Sequence, residues 1–392
     1  MKKLLLIALA CAPLMSMAQD DLVKKLDANK SDSAKKKFEF KTILRLDCTD
    51  VKSQGSSGTC WSYSTNSFLE SEMMRMGKKP VDLAEIFTAR NVYVEKAENY
   101  VRMHGAVSWG DGGACHDVIN MYAKYGAMPQ SAYTGLNYGT TKNQFAEMQE
   151  VLKGMLDAYV KNPNGRITPV WKKAFTSVLD SYLGKVPKTF TYKGKEYTPK
   201  SFADEVVGIN PADYVELSSL NDKPYYEKTI LMVPDNWSYD QVYNVHMDEL
   251  IESIDNALSK GYTVAWATDV SEKYFSWKNG VAYVPEKNWE DMSEEEQKDM
   301  FNGVKPERKI TAKMRQKAFD NYETTDDHGM HIVGLAKDQT GREYYIVKNS
   351  WGEKNDYKGY IHVTKNYVRY KTTAILLHKK ALTQELRGNL SL

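Results

Sequence analysis

Cysteine is scarce in this chain: 392 residues carry four, Cys11, Cys48, Cys60 and Cys115. So few thiols in so long a chain cannot build a disulfide framework, and a hydrophobic core must hold the fold. A charge excess is missing as well. Lys and Arg number 53 against 51 Asp and Glu, a formal net charge of +2, which favours neither nucleic acid nor an acidic membrane as partner. Beyond the first residues no stretch approaches the ~20 uninterrupted apolar residues of a membrane-spanning helix. There is no internal repeat and no low-complexity tract apart from the Lys-, Asp- and Ser-rich residues 19–37, which read as a mobile arm. What is present is ordinary globular material, 42% hydrophobic and 27% charged, with ample core. The 26 tyrosines and 8 tryptophans would serve such a core as readily as a peptide-binding cleft.

The N-terminus reads as an address. Lys2 and Lys3 precede an apolar run from Leu4 to Ala10, and Ser16-Met17-Ala18 offers small residues before Gln19. This is the layout of a secretory signal peptide over residues 1–18, cleaved after Ala18. A lipoprotein signal using Cys11 is the second reading, disfavoured by Ala8. The expected location is therefore exported, periplasmic or secreted. Cys48, Cys60 and Cys115 then remain, an odd number that leaves at least one thiol unpaired. Cys48 and Cys115 could pair with each other, though nothing in their spacing shows it.

The stretch Gln54-Gly55-Ser56-Ser57-Gly58-Thr59-Cys60-Trp61 has the parts of a nucleophile and its support. Cys60 opens a run with Trp61, Thr65, Phe68, Leu69 and Glu72 at helical spacing. A helix N-terminus presents unpaired N–H groups and positive potential, which favour a thiolate. The glycines let the entering loop turn tightly. The Gln54 amide and the Cys60 N–H can then converge on the oxygen of a tetrahedral intermediate.

Further along, Pro80 to about Met103 is a second amphipathic run. A loop, Trp109-Gly110-Asp111-Gly112-Gly113-Ala114-Cys115, leads into a short third helix through Val118, Met121 and Tyr122. Adjacent glycines permit close approach of another backbone, although a plain tight turn would use them too. Residues 140–240 have a different texture, with helices over 143–161 and 168–183, a hairpin over 190–197 and a short helix over 201–207. They read as an insertion that shapes a cleft or a subunit contact. A helix over 247–260 feeds a strand over 263–268.

Near the far end, Asp327-His328-Gly329-Met330-His331 opens an alternating strand. A turn at Gln339-Thr340-Gly341 returns the chain through Tyr344 to Lys348 and on to Asn349-Ser350-Trp351-Gly352. In such a hairpin Asn349 lies beside His328. Its carboxamide oxygen can accept the imidazole N–H while the other ring nitrogen faces a thiol and Trp351 shields the bond. Strand alternation sends His331 to the opposite face, so His328 is the preferred base. Pairing His328 with His331, or Cys115 with His116, as metal ligands fits poorly. Neither pair has the helical i,i+4 spacing or the glutamate of a zinc-peptidase motif, so no metal and no cofactor is expected.

Taken together, Gln54-x5-Cys60-Trp61, Asp111-Gly112-Gly113, Asp327-His328-Gly329 and Lys348-Asn349-Ser350-Trp351-Gly352 resemble, in order, the motifs of the papain-like cysteine peptidases. The resemblance implies an α+β, two-lobed fold over 38–392, a helical left lobe and an antiparallel β-sheet right lobe, with the large middle insertion. It implies Cys60 as nucleophile, His328 as general base and acid, Asn349 as its orienter and Gln54 as oxyanion donor. It places Gly112 and Gly113 on the substrate backbone, with Ala114, Cys115 and Gly329 near the pocket for the second residue before the cut. Ser57 stands where secreted relatives usually carry a cysteine, no inhibitory pro-domain is recognisable, and the insertion is large. These departures are similar to the bleomycin hydrolase and aminopeptidase C branch, as are Ser56 to Trp61 and Tyr125-Gly126-Ala127-Met128-Pro129.

In that branch the chain's own C-terminus lies in the cleft and restricts cutting to the substrate's N-terminal end. Here residues 381–392 form a tail that either reaches the cleft or packs on the surface. The expected function is thus an exported thiol peptidase acting on peptide substrates, an aminopeptidase by preference. An endopeptidase and a catalytically silent peptide-binding relative are the alternatives, and a homo-oligomer is left open.

Overall fold

The computed structural model describes residues 38–392; the expected signal peptide over 1–18, Cys11 and the expected arm over 19–37 lie outside them. Helix α1 (Cys60–Arg75) is the axis of the molecule. Its sequence reads as amphipathic, yet every residue from Trp61 to Met73 is buried, because the helix lies in the seam between two cores. One core gathers Phe68, Leu69 and Met73 with helices α2 (Glu85–Arg102) and α3 (Cys115–Tyr125). The other gathers the apolar side chains of a large sheet and the helix behind it. Helix α2 begins five residues later than its sequence run because residues 80–84 are extended, with Ala84 N–H bonded to the Met128 carbonyl (2.9 Å).

The middle insertion is divided between the two cores. Helices α4 (Ala146–Val160) and α5 (Trp171–Leu183) bury Leu152, Leu156, Phe175 and Leu179 in the helical core. Arg90 ties α2 to Asp180 at 2.7 Å. The hairpin is present as strands β2 (Phe190–Tyr192) and β3 (Lys195–Tyr197). Strands β4 (Tyr214–Ser218), β5 (Lys228–Ile230) and β6 (Gln241–Asn244) then join the large sheet. Helix α6 (Met247–Ser259) backs that sheet.

The sheet continues through β7 (Val264–Thr268), β8 (Phe275–Ser276), β9 (Val281–Ala282), β10 (His328–Lys337), β11 (Glu343–Lys348), β12 (Tyr360–Thr364) and β13 (Thr372–His378). Its order is β5-β6-β4-β13-β7-β10-β11-β12-β9-β8, with β1 (Lys41–Arg45) paired to β10. Most pairs are antiparallel; β4 with β6 and β12 with β9 are parallel, so the expected antiparallel sheet is mixed at two places. Strand β10 is central. Its first half pairs with β7, His328 opposite Thr268, and its second half with β1.

The tail forms helix α7 (Gln384–Asn389). Leu382, Leu386 and Leu390 are buried in the sheet-side core with Leu250, Ile251 and Ile254 of α6, and Lys260 Nζ donates to the Leu382 carbonyl (3.1 Å). No residue of the tail lines the pocket beside Cys60.

Candidate active site

Helix α1 and strand β10 run side by side from their first residues at the seam, Ser67 Oγ reaching His331 Nδ1 at 3.0 Å. A β-carbon on Gly329 would stand 2.9 Å from Ser64 Oγ and 3.1 Å from Trp61 Cα, so only glycine lets the strand start this near the helix start. Cys60, His328, Gly329, Trp61 and Gly113 consequently line one pocket. The backbone N–H groups of Gly329 and Trp61 reach the Cys60 sulfur.

His328 is nearly buried. Its Nε2 lies 2.7 Å from Asn349 Oδ1, and the Trp351 ring covers it at 4.6 Å between centroids. Asn349 Oδ1 also accepts the Ser350 N–H (2.7 Å). With the carboxamide oxygen as acceptor, Nε2 must carry the proton and Nδ1 keeps its lone pair. His331 goes to the other side of β10, where its Nδ1 meets Ser67 Oγ at 3.0 Å. The two histidines therefore do not converge on a metal.

Burial pushes the Cys60 thiol up to about 12, against the pull of the Gly329 N–H, and lowers His328 to about 4. Desolvation here opposes the thiolate-favouring field that the sequence placed at the helix N-terminus.

The loop before Cys60 is tightly held. Gln54 is buried, its Nε2 donating to the Ser57 carbonyl (2.7 Å) and its Oε1 accepting from Ser350 Oγ (2.5 Å). Asn143, where the insertion begins, donates to the Gln54 carbonyl (3.1 Å) and to Tyr63 Oη (2.9 Å). Asp111 accepts from the Gly58 N–H with its carboxylate and from Trp61 Nε1 with its carbonyl (2.9 Å). Gly113 packs under Trp61, where a β-carbon would be 2.8 Å from the indole. Gly112 lies beneath the Asp235 carboxylate, and its carbonyl accepts from Lys96 Nζ (2.5 Å).

All three described cysteines are free thiols. Cys48 Sγ lies 3.3 Å from Tyr360 Oη, and Cys115 is buried with its pKa raised by that burial. Its neighbour His116 binds Glu216 Oε2 through Nδ1 (2.6 Å), which removes it as a metal partner for Cys115.

Four acidic residues lining the pocket, Glu216, Asp235, Asp326 and Asp327, escaped the sequence reading as functional groups. Asp326 and Asp327 adjoin His328 and were open to notice. Glu216 and Asp235 sit in the insertion, where no spacing links them to Cys60.

A sequence model of the Peptidase C1-like family matches residues 12–391. Aminopeptidase G of Lactobacillus delbrueckii subsp. lactis is 24% identical over 395 residues, covering 90% of this chain and 85% of that protein. Aminopeptidase C of Listeria monocytogenes is 24% identical over 380 residues, 86% and 81% of the two chains. Among solved structures, PepW from Lactobacillus rhamnosis superposes with a TM-score of 0.67 at 20% identity, covering 94% of this chain and 86% of that one; that likeness is one of fold.

Proposed function

The chain belongs to the Peptidase C1-like family, and on that premise we propose a cysteine peptidase that removes N-terminal residues through a Cys60–His328–Asn349 triad. The observation that carries the reading is one pocket lined by Cys60 and by a His328 already tied through Nε2 to Asn349. As the sulfur attacks the scissile carbonyl, His328 Nδ1 takes the thiol proton, and the ring, now cationic, keeps its bond to Asn349. The same proton goes to the leaving amine as the acyl-thioester forms. Water, deprotonated by His328, then releases the product acid and restores the thiol. Gln54, clamped at both ends of its carboxamide, and the Cys60 N–H are the donors assigned to the oxyanion. Gly112 and Gly113 are assigned to the substrate backbone.

The names of the relatives, aminopeptidase G and aminopeptidase C, support exopeptidase action. Export rests on the layout of residues 1–18; N-terminal sequencing of exported protein should begin at Gln19. The reading is tested by digesting a peptide library with free and acetylated N-termini, using the wild type and Cys60→Ala, and reading the products by mass spectrometry. Stepwise loss of N-terminal residues from free peptides alone, abolished by Cys60→Ala, is expected. Internal cuts in acetylated peptides would make it an endopeptidase, and no Cys60-dependent cut would make it a silent binder.

A further inference from the structure

The wall of the Cys60 pocket supplied by the insertion has an unbalanced charge. Asp235 lays its carboxylate so close over Gly112 that a β-carbon there would collide with both oxygens. Its backbone N–H donates to Asp326 Oδ2 (2.9 Å), so two acidic residues share one edge of the pocket that holds Cys60 and His328. One buried amine, Lys96, faces Asp111, Asp117, Asp235 and Asp326, and it donates to the carbonyls of Gly110 and Gly112 (3.1 and 2.5 Å). The His116 ring is engaged by Glu216.

Independently of the acidic cluster, two buried acceptors on the same pocket lack a partner. They are Glu216 Oε1 and Thr373 Oγ1, on residues 7% and 2% exposed. Leaving a buried acceptor unsatisfied is costly, and an entering donor relieves that cost. The ligand that fits is a positively charged group with several N–H donors. Burial, then the neighbouring Asp235, hold the Asp326 carboxyl above its ordinary range, and burial raises Asp235 as well, with Lys96 opposing.

We propose that Asp235, with Asp326 behind it, is the group of this pocket that binds a protonated amine of the substrate. It thereby sets specificity beside the thiol. The inference rests on the peptidase reading only in taking that amine to belong to a peptide. The amine has two chemical sources, the α-ammonium of a free N-terminus or the side chain of a basic residue one position before the cut residue. In the first case Asp235 ends the cleft one residue upstream of Cys60 and makes the enzyme an aminopeptidase from within its own insertion. The tail, docked on α6, takes no part.

The test compares kcat/KM of wild type and Asp235→Asn on four anilides. They are alanine 4-nitroanilide, its N-acetyl form, N-acetyl-lysyl-alanine 4-nitroanilide and its norleucyl counterpart. Asp235→Asn should lower turnover of the cationic member of one pair at least tenfold, leave the neutral member within twofold, and raise KM more than it lowers kcat. Loss confined to the first pair names the N-terminal ammonium, and loss confined to the second names the side chain. Adding Gly-Gly after Leu392 should leave the preference within twofold. Binding of alaninamide against N-acetylalaninamide to Cys60→Ala, measured by calorimetry with and without Asp235→Asn, reads the same site without hydrolysis. A protein that never hydrolyses peptides but still loses amine binding tenfold in Asp235→Asn would sink the peptidase reading alone. Equal effects on charged and neutral ligands, or a preference lost to the Gly-Gly extension and kept in Asp235→Asn, would overturn the proposal.

Discussion

His328 owes its orientation to one side-chain partner, the Asn349 carboxamide at 2.7 Å, and to the Trp351 ring. Replacing Asn349 with Ala frees the imidazole to rotate and to exchange tautomers. We expect kcat to fall about 10- to 100-fold with KM within about twofold, checked by steady-state kinetics on a free-amine anilide. His116 makes a different prediction. Burial pulls its pKa down, but the Glu216 carboxylate more than offsets this and lifts it to about 10. A folded pKa above the unfolded value of about 6.5 means stability fully present below pH 6.5 and lost as pH rises through 10. His116→Gln should therefore lower Tm by about 3 °C or more at pH 6 and by much less at pH 10.5, as calorimetric scans would show. Equal losses at both pH values would contradict a charged His116–Glu216 pair. That Cys60 and His328 line one pocket, with Asn349 on the imidazole, was legible because each stands in a distinctive local motif. Asp235 was not, since its meaning comes only from the distant Gly112 over which it folds.

Helix α1 and strand β10 are brought together by a missing side chain. In Gly329→Ala the new methyl would press on Ser64 Oγ and the Trp61 backbone, and the strand must shift away from the helix. Both ends of the shift carry members of the proposed triad, so kcat/KM should fall tenfold or more, with a stability loss of about 1–3 kcal/mol in urea titrations. A variant of full activity would show that the close approach is dispensable. The helices up to residue 260 were readable from 3–4-residue spacing, most ends within a few residues, whereas the short ones over Ala312–Asp320, Lys365–Lys371 and Gln384–Asn389 were not. The environment of α1 was not readable. Its buried Ser62, Asn66 and Glu70 look solvent-facing in sequence but meet partners from other elements, such as the Glu85 carbonyl on Ser62 and Thr49 on Glu70. The fate of the insertion was equally hidden, because its strands β4 to β6 enter a sheet whose other members lie far along the chain.

The molecule as a whole has two large cores; helix α1 buries its apolar side chains in one and runs beside strand β10 of the other, with the pocket opening where they meet. Its C-terminal helix belongs to the sheet-side core, on α6. Leu386→Ala should cost about 2–4 kcal/mol of stability, measured by urea unfolding, and leave the ratio of free-amine to acetylated substrate turnover unchanged. A changed ratio would tie the tail to the cleft after all. The two-lobed α+β plan was legible because four motifs in order span both lobes, whereas the course of the tail had two readings in the sequence and needed the packing of Leu382, Leu386 and Leu390 to decide. Among the described residues no helix is long and apolar enough to cross a membrane.

The most direct measurement is labelling with a neutral peptidyl vinyl sulfone, followed by mapping of the modified peptide by mass spectrometry. The account predicts addition at Cys60 alone, with Cys48 and Cys115 untouched, and a labelling rate that drops about tenfold or more in His328→Ala. Addition spread over the three thiols, or a rate indifferent to the loss of His328, would contradict it.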